Sequence, residues 1–292
     1  MRIAVVIATL GRPHEAGQVL ERLRRQSQPP ARIVFSVEKA EDLPPQPVLG
    51  DDVEVVFGPR GLCAQRNRGM TRISGECDVV VFYDDDYLPS RRSLEGVGAL
   101  FAAHPEVVGA TGVVLADGVT RGGLSWEQGE AIVEIYDAAP PPAPAIQADI
   151  RTAYGCNMAF RCKAADGLRF DERLPLYGWQ EDVDFAGQIA RRGRVVRTNA
   201  FAGVHLGVAK SRSPGKRLGY SQMVNPVYLV RKGTMRLSHA ARIMCCNLVA
   251  NHVRVLAPEP HIDRRGRVLG NWRGLLHLVA GRADPEQISS FQ

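Results

Sequence analysis

The chain has 292 residues, of which 45% are hydrophobic, and a formal net charge of +6. This length fits one large α/β domain with appended elements or two small domains, and the composition excludes disorder throughout the chain. The charge is uneven: residues from His205 onward carry 14 lysines and arginines against 4 acidic residues, whereas the first 204 residues have a net charge of −4. The basic C-terminal third predicts either an anionic partner, such as nucleic acid, anionic lipid or a phosphate-bearing substrate, or a solvated surface without one.

The cysteines and the hydrophobic segments bear on the compartment. The six cysteines form no C-x-x-C pair and no metal-finger spacing, which predicts reduced thiols in a cytosolic protein. A strand-like run begins at Ile3, which leaves no room for a signal peptide, and no segment approaches about 18 uninterrupted apolar residues. We therefore expect a cytoplasmic protein that is neither exported by a signal peptide nor membrane-spanning.

The first 60 residues predict strands that alternate with helices. Ile3–Thr9 has the pattern of a buried strand, is ended by a Gly-Arg-Pro turn and is followed by a helix to about Gln26. Further strands are predicted at Arg32–Val37 and Val53–Phe57, with a loop at residues 40–50 between them. Strand, tight turn and helix is the usual beginning of a nucleotide-binding α/β sheet.

A Gly-Pro-Arg-Gly turn then leads into a predicted helix from Leu62 to about Ile73. Arg66 lies on this helix, shortly before an acidic segment. Its guanidinium is a candidate for binding a diphosphate through charge-assisted hydrogen bonds, and pairing with the nearby acids is the alternative.

The most informative segment is a strand that runs into three carboxylates. Val79–Tyr83 is apolar and rich in β-branched and aromatic residues, and Asp84, Asp85 and Asp86 follow it. Alternation along an extended chain points Asp84 and Asp86 to one side and Asp85 to the other, which makes an i, i+2 pair of hard oxygen ligands for a divalent cation. An acidic polar turn is the alternative interpretation.

These segments resemble a known family. IAVVIATLGRP, GLCAQRNRG and VVVFYDDDYLP are similar to the N-terminal half of a family 2 glycosyltransferase, in which a D-x-D element follows a buried strand. GWQEDVDF, which begins at Gly178 after the segment YGCNMAFRC, is similar to the W-x-E-D element of that family at a helix start. His205 resembles the metal ligand that many members place after the last strand. In this order the motifs form a specific combination, and they cover about Met1 to Leu206.

The resemblance implies an α/β protein with the GT-A fold, a Rossmann-like nucleotide-diphospho-sugar transferase fold with a mixed, mostly parallel sheet flanked by helices. It implies a catalytic domain over residues 1–209, with a nucleotide-binding half at 1–115 and an acceptor-binding half at 116–209. Residues 210–292 are then a helical, basic C-terminal region.

The resemblance also implies roles for particular residues. The metal, Mn²⁺ or Mg²⁺, is expected on Asp86, Asp84 and His205. The donor nucleotide is expected on Thr9, Leu10, Arg12, Glu38, Arg66, Asp84 and Asp85, although a solvent-facing carboxylate is the default interpretation of Glu38. Asp182 is the candidate general base and Glu181 positions the acceptor. The expected acceptor-binding residues are Trp179, Gln180 and Trp126.

The second half of the chain is less regular. A strand is predicted at Val107–Leu115, followed by an irregular run from Ala116 to Gln147, whose prolines at 139–144 exclude a packed helix or a central strand. Trp126 and Tyr136 in this run contact the acceptor, lie in a mobile lid or anchor the loop to the core.

The C-terminal region predicts helices. A helix carries the sequence YLVRK, and Ser238 is expected to cap another that extends to about Leu256. Ala241, Met244, Leu248 and Val255 trace one face of the second helix, and arginines interleaved with Trp272 follow it. A basic amphipathic segment suits docking onto anionic lipid, and packing on the catalytic domain produces the same pattern.

The resemblance therefore implies a metal-dependent, inverting glycosyltransferase that moves one sugar per encounter from a nucleotide sugar, with UDP as the default, to a glycan or a lipid-linked acceptor. We expect peripheral contact with the inner face of the membrane and no nucleic acid partner. The sequence leaves the oligomeric state open, with a homodimer as one alternative. A catalytically silent sugar-binding protein is the first alternative. A nucleotidyltransferase is the second, and LGRP is a poor match to its phosphate loop.

Overall fold

A computed structural model describes residues 1–119, 122–208 and 214–291. Its strands are β1 Ile3–Ala8, β2 Arg32–Val37, β3 Val53–Phe57, β4 Val79–Asp84, β5 Tyr87–Pro89, β6 Val107–Asp117, β7 Ile146–Ile150, β8 Asn157–Arg161 and β9 Arg194–His205. Its helices are α1 Pro13–Arg24, α2 Gln46–Leu49, α3 Leu62–Arg72, α4 Ser93–Ala103, α5 Trp126–Ala138, α6 Cys162–Ala165, α7 Glu181–Ile189, α8 Gly215–Lys232, α9 Leu237–Arg254 and α10 Arg264–Val279, with 3₁₀ turns at Ala40–Asp42 and Pro285–Ser290.

The strands form one mixed sheet in the order β3-β2-β1-β4-β8-β6-β9-β5, and β7 also pairs with β9. β1 to β4 are parallel to one another, so their carboxyl ends share one edge of the sheet. β8 pairs antiparallel with β4 and with β6, while β9 runs parallel to β6. The carboxyl ends of parallel strands are where ligands bind in such sheets, and the three acids after β4 lie there.

Helices cover both faces of the sheet because its central strands are apolar on both sides. Ile3, Val5 and Ile7 of β1 pack into one apolar layer with α1 and α4. Ala4 and Val6 point the other way, into a second layer that contains residues of α3, α7 and α8. This alternation explains why β1 is a nearly continuous apolar run.

Two predicted irregular segments contain regular structure. The expectation for residues 116–147 is wrong, because α5 occupies part of this run and β7 begins at Ile146. A capping box starts α5: Ser125 Oγ accepts from the Gln128 N–H, and Gln128 Oε1 accepts from the Ser125 N–H at 2.9 Å. The S-x-x-Q spacing was the signal for this helix. The loop predicted at 40–50 likewise contains a 3₁₀ turn and α2.

The C-terminal helices share the core of the sheet. The boundary predicted between 209 and 210 lies outside the described residues, but Leu229 of α8 and Ala240 of α9 belong to the same apolar layer as Phe185 of α7. Ser238 does not cap α9, which begins one residue earlier, after Arg236.

The residues predicted to form the apolar face of α9 are only partly buried. Ala241 is exposed, Met244, Leu248 and Val255 are half-buried, and the buried positions are Ala240 and Asn251. Among the described helices, none is long and apolar enough to cross a membrane.

A buried ion-pair network joins α7 to the end of α8. Lys232 Nζ donates to Asp171 Oδ2 at 2.6 Å and to Asp184 Oδ2 at 2.7 Å. Asp184 is fully buried, and its other oxygen accepts from Thr234 Oγ1 at 2.6 Å. Removal of the ammonium group leaves two neighbouring carboxylates without their cation.

We expect Lys232→Met to lower the free energy of unfolding by about 3 kcal/mol, because breaking a buried pair leaves an uncompensated charge. Urea denaturation measures the change. Lys163→Met, at an exposed site, is the control and should change the stability by less than about 0.5 kcal/mol. Equal stability of the two variants would show that the network does not hold the C-terminal helices to the sheet.

Candidate active site

Two acids and a histidine meet at the carboxyl edge of the sheet. β5 pairs antiparallel with β9, with Tyr87 opposite His205, so the turn after β4 lies beside the end of β9. His205 Nε2 lies 3.4 Å from Asp86 Oδ1 and 3.8 Å from Asp84 Oδ2. The sequence separated these residues by more than a hundred positions, and the strand pairing brings them together.

The three side chains fit a divalent cation. One ligand atom from each of Asp84, Asp86 and His205 lies within 4.8 Å of the other two. Two hard carboxylate oxygens and one imidazole nitrogen form a donor set that suits Mn²⁺ or a similar ion. Burial alone would raise the pKa of Asp86, but hydrogen bonding to His205 and the charges of His205 and Arg12 lower it below the ordinary aspartate value.

Two residues that the sequence analysis missed orient the histidine. Asp117 lies opposite His205 in the pairing of β6 with β9, and its Oδ1 is 3.2 Å from His205 Nδ1. Tyr154 Oη donates to Asp117 Oδ2 at 2.6 Å. A carboxylate on Nδ1 leaves Nε2 directed at Asp84 and Asp86, as in carboxylate–histidine–metal arrangements. Asp117 ends a strand at the ligand-binding edge, which was the available signal.

Asp85 and Asp86 lie in a turn rather than in the extended chain that the predicted alternation assumed, and Asp85 contacts the turn after β1. Its carboxylate accepts from Thr9 Oγ1 at 2.6 Å and from Arg12 Nη1 at 2.7 Å. Arg12 also lies 3.4 Å from Asp86 Oδ2 and donates to the Val208 carbonyl at 3.1 Å. Burial raises the pKa of Asp85 to about 7, against the effect of Arg12. Asp85 thus fixes Arg12 at the side of the acidic cluster.

Arg66 joins the two predicted acidic motifs. Its guanidinium is buried and donates to Asp84 Oδ1 at 2.9 Å, to Glu181 Oε1, and to the Gly155 carbonyl at 2.8 Å. These contacts agree with the pairing alternative, and a contact of Arg66 with a diphosphate stays a prediction. Burial raises the pKa of Glu181 to about 8, and the charge of Arg66 opposes the increase.

The W-x-E-D segment forms the turn into α7. Gln180, the residue before the helix, has a left-handed backbone with φ of 73°. Such a conformation is rare outside glycine and frequent near functional sites. It starts the helix so that Glu181 meets Arg66 while Asp182 Oδ2 accepts from the Gly155 N–H at 2.9 Å. Burial raises the pKa of Asp182, and the hydrogen bonds from the Val183 and Gly155 N–H groups oppose the increase.

The other predicted donor residues lie around the turns after β1 and β2. Leu10 is half-buried in the first turn, and Glu38 is exposed after β2. Asp42, which the sequence analysis missed, joins the two turns: its carboxylate accepts from the N–H groups of Gly11 at 2.7 Å and of Glu38 at 3.1 Å. These bonds hold the two turns together at the strand ends without using the Glu38 side chain.

The predicted acceptor residues are only partly at the site. Trp126 packs against two apolar clusters of the core, which corresponds to the anchoring alternative. Trp179 is half-buried beside the W-x-E-D turn, and its carbonyl accepts from Asn225 Nδ2 at 2.8 Å. Tyr177, which the sequence analysis missed, is 57% exposed, and burial of its hydroxyl together with the charges of Asp84 and Asp182 raises its pKa.

The comparisons with known proteins agree with this geometry. The model of glycosyl transferase family 2 matches residues 4–169, more than half of the chain. The chain therefore belongs to this family and is a glycosyltransferase, which confirms the resemblance noted in the sequence. No curated protein matches the sequence.

Solved structures with the same fold include GT-A glycosyltransferases. A crystal structure of S. aureus TarS 1-349 has a TM-score of 0.57 and 12% identity, and the match covers 99% of this chain and 83% of that one. The same protein in complex with UDP-GlcNAc has a TM-score of 0.56 and 12% identity over the same shares. Mannosyltransferase PcManGT from Pyrobaculum calidifontis, in complex with GDP-Man and Mn²⁺, has a TM-score of 0.55 and 16% identity over 99% and 85%. The predicted GT-A fold is thus confirmed.

We expect Asp117→Asn to weaken Mn²⁺ binding by about 10–100-fold, because a partner of a ligating histidine sets the orientation and the basicity of its ring. Isothermal titration calorimetry with Mn²⁺ measures the change. Asp149→Asn, on an exposed carboxylate of β7, is the matched control and should bind Mn²⁺ as the native protein does. Unchanged affinity in Asp117→Asn would mean that Asp117 does not support a metal ligand.

Proposed function

We propose that this protein is a metal-dependent, inverting glycosyltransferase that moves a hexosyl unit from a nucleotide-diphosphate sugar to an acceptor hydroxyl. One observation carries the proposal: the Asp84–Asp86–His205 triad and the candidate base Asp182 belong to one hydrogen-bonded group, joined through Arg66 and the backbone of Gly155. A site that must stabilise a leaving diphosphate and remove a proton from an acceptor needs both groups.

The proposed reaction is a single displacement at the anomeric carbon. The acceptor oxygen forms the new bond as the bond to the diphosphate oxygen breaks, and the electron pair of that bond leaves with the diphosphate. A cation held by Asp84, Asp86 and His205 would supply Lewis-acid stabilisation of the leaving group. Asp182 accepts the hydroxyl proton, and attack opposite the leaving group inverts the anomeric centre.

The surrounding residues orient the proposed base, Asp182. Asp182 is held by two backbone N–H groups, and Arg66 ties Glu181 to Asp84 beside it. Glu181 therefore positions the loop and the acceptor while Asp182 stays available for the proton. Thr9, Leu10 and Arg12 line the nucleotide pocket in this proposal, and Arg66 assists the cation at the diphosphate.

The proposed donor is a UDP-sugar, with a GDP-sugar as the second choice, since the structural neighbours hold UDP-GlcNAc and GDP-Man. The proposed acceptor is a glycan or a lipid-linked glycan of the cell envelope. The six free cysteines support a reducing compartment, and we place the enzyme in the cytoplasm, peripherally at the inner face of the membrane.

Calorimetry with UDP, GDP, dTDP and CDP, each with and without Mn²⁺, tests the donor and the metal together. We expect one nucleotide to bind only with Mn²⁺, and Asp86→Ala to abolish that binding because it removes a buried ligand of the triad. Asp149→Ala is the control and should bind like the native chain. Absence of binding by every nucleotide would overturn the proposal, and binding without sugar transfer would favour a silent sugar-binding protein.

The pH profile tests the base. Asp182 works only when deprotonated, and burial raises its pKa, so we expect kcat/KM to fall with decreasing pH through an apparent pKa above the ordinary aspartate value of 3.8. Asp182→Asn should lower kcat by about 10²–10⁴-fold with nucleotide binding retained. Steady-state rates across pH measure both effects. A variant with native kcat would assign the proton to another group.

A further inference from the structure

Helices α9 and α10 expose an apolar surface. Eight of the fifteen exposed large hydrophobic residues of the described chain fall within residues 237–279. Seven of them form what we call the hairpin face: Val249 and Val253 of α9, Leu256 just after it, and Leu269, Trp272, Leu276 and Val279 of α10, each between 54% and 90% exposed. Trp272 Nε1 donates to His252 Nε2 at 3.0 Å, so the two helices present these residues side by side.

The interior of the same helices is polar. Asn251 Nδ2 donates to Gln222 Oε1 at 2.8 Å and to Asn271 Oδ1 at 2.9 Å, and Asn271 Nδ2 donates to the Gly219 carbonyl at 2.7 Å. Arg264 is buried in this network and donates to Asn251 Oδ1. A helix pair that faces water normally buries its apolar residues and exposes its polar ones. These helices do the reverse.

Small residues bring the helix backbones close together. Gly266, Gly270 and Gly274 recur every fourth residue along α10 and face α8. A Cβ added at Gly270 would overlap the Lys216 carbonyl, and one added at Gly219 would overlap the backbone of Arg267. Apolar side chains are thus not needed between these helices, which leaves the leucines and valines free to face outward.

The rim of the hairpin face is basic. Arg242 lies two turns before Val249 on α9, and Arg265 lies one turn before Leu269 on α10, and both arginines are exposed. Between residues 236 and 282 the acidic residues are only Glu259 and Asp263. Glu259 accepts from Arg254 and Arg264, and Asp263 caps α10, so neither offsets the rim.

We propose that the hairpin face docks onto an anionic lipid bilayer, with its apolar residues in the headgroup–acyl boundary and its arginines on the headgroups. Amphipathic helices with Trp and Leu on one side and Arg beside them bind membranes in this way. Charge complementarity favours the bilayer over a second copy of the chain, because an isologous contact would place one arginine rim against another.

The loop between α9 and α10 lies close to the segment beside His205. The loop between α9 and α10 carries His261, which packs against Gly122, in the segment that follows β6 and adjoins the end of β9. A lipid-linked acceptor in the bilayer would then have a short path to Asp182. This delivery of the acceptor rests on the proposed function. The docking itself does not.

Flotation of the full chain with vesicles tests the docking independently of catalysis. We expect the protein to float with phosphatidylglycerol-containing vesicles, to float less with pure phosphatidylcholine, and to be released by high salt. Leu269→Ser with Leu276→Ser should lower the partition coefficient by about tenfold or more, since it removes two apolar side chains that would insert into the headgroup–acyl boundary. Arg242→Gln with Arg265→Gln should lower it by roughly tenfold on anionic vesicles only.

Ile135→Ser is the matched control, because Ile135 is 74% exposed on α5, away from the hairpin face. It should float like the native chain. Thermal unfolding and nucleotide binding show that each variant is folded, and the arginine variant keeps the test valid if the leucine variant unfolds. Equal flotation of all variants would overturn the proposal, as would no flotation of the native chain. A dimer in analytical ultracentrifugation that Leu269→Ser with Leu276→Ser dissociates would also overturn it and assign the face to a second copy.

Discussion

The active site depends on how one buried guanidinium compensates a group of acids. Asp84, Glu181 and Asp182 lie close together, with Glu181 buried and the other two half-buried, so their like charges would otherwise repel one another. Arg66 lies between them, with its guanidinium 5.5 Å from the ring centre of Phe170. Its bonds to Asp84, Glu181 and the Gly155 carbonyl hold the first acidic motif against the second. The spacing of the two acidic motifs is therefore set by this arginine.

A second set of contacts gives each acid its own task. Arg12 and Thr9 donate hydrogen bonds to Asp85, and His205 lies beside Asp86 and Asp84. Backbone N–H groups donate to Asp182. Carboxylates that are neighbours in sequence thus face different partners. This separation lets one cleft combine a cation site, which needs ionised ligands, with a buried acid whose pKa is raised.

The C-terminal helices pack against the sheet on one side and expose an apolar surface on the other. Lys232 and Thr234 tie α8 to Asp184, so the region is part of the packed structure. Farther out, amides and glycines hold α9 and α10 while the large apolar side chains face outward. A stable fold and an exposed apolar surface coexist here because polar groups and close backbone contacts provide the internal cohesion.

The sequence by itself determined the strands at 32–37 and 53–57, the acidic strand end and the α7 start, because these depend on local apolar patterns and on motifs. It also indicated the family and the three residues, Asp84, Asp86 and His205, that lie close enough together to hold a cation. It could not decide that Arg66 pairs with acids, that Asp117 and Tyr154 support His205, or that Trp126 packs in the core. Each of those facts depends on which strands become neighbours in the sheet. The direction of the α9 and α10 apolar residues was likewise decided by tertiary structure, since an apolar stripe looks the same in sequence whether it faces a core or a surface.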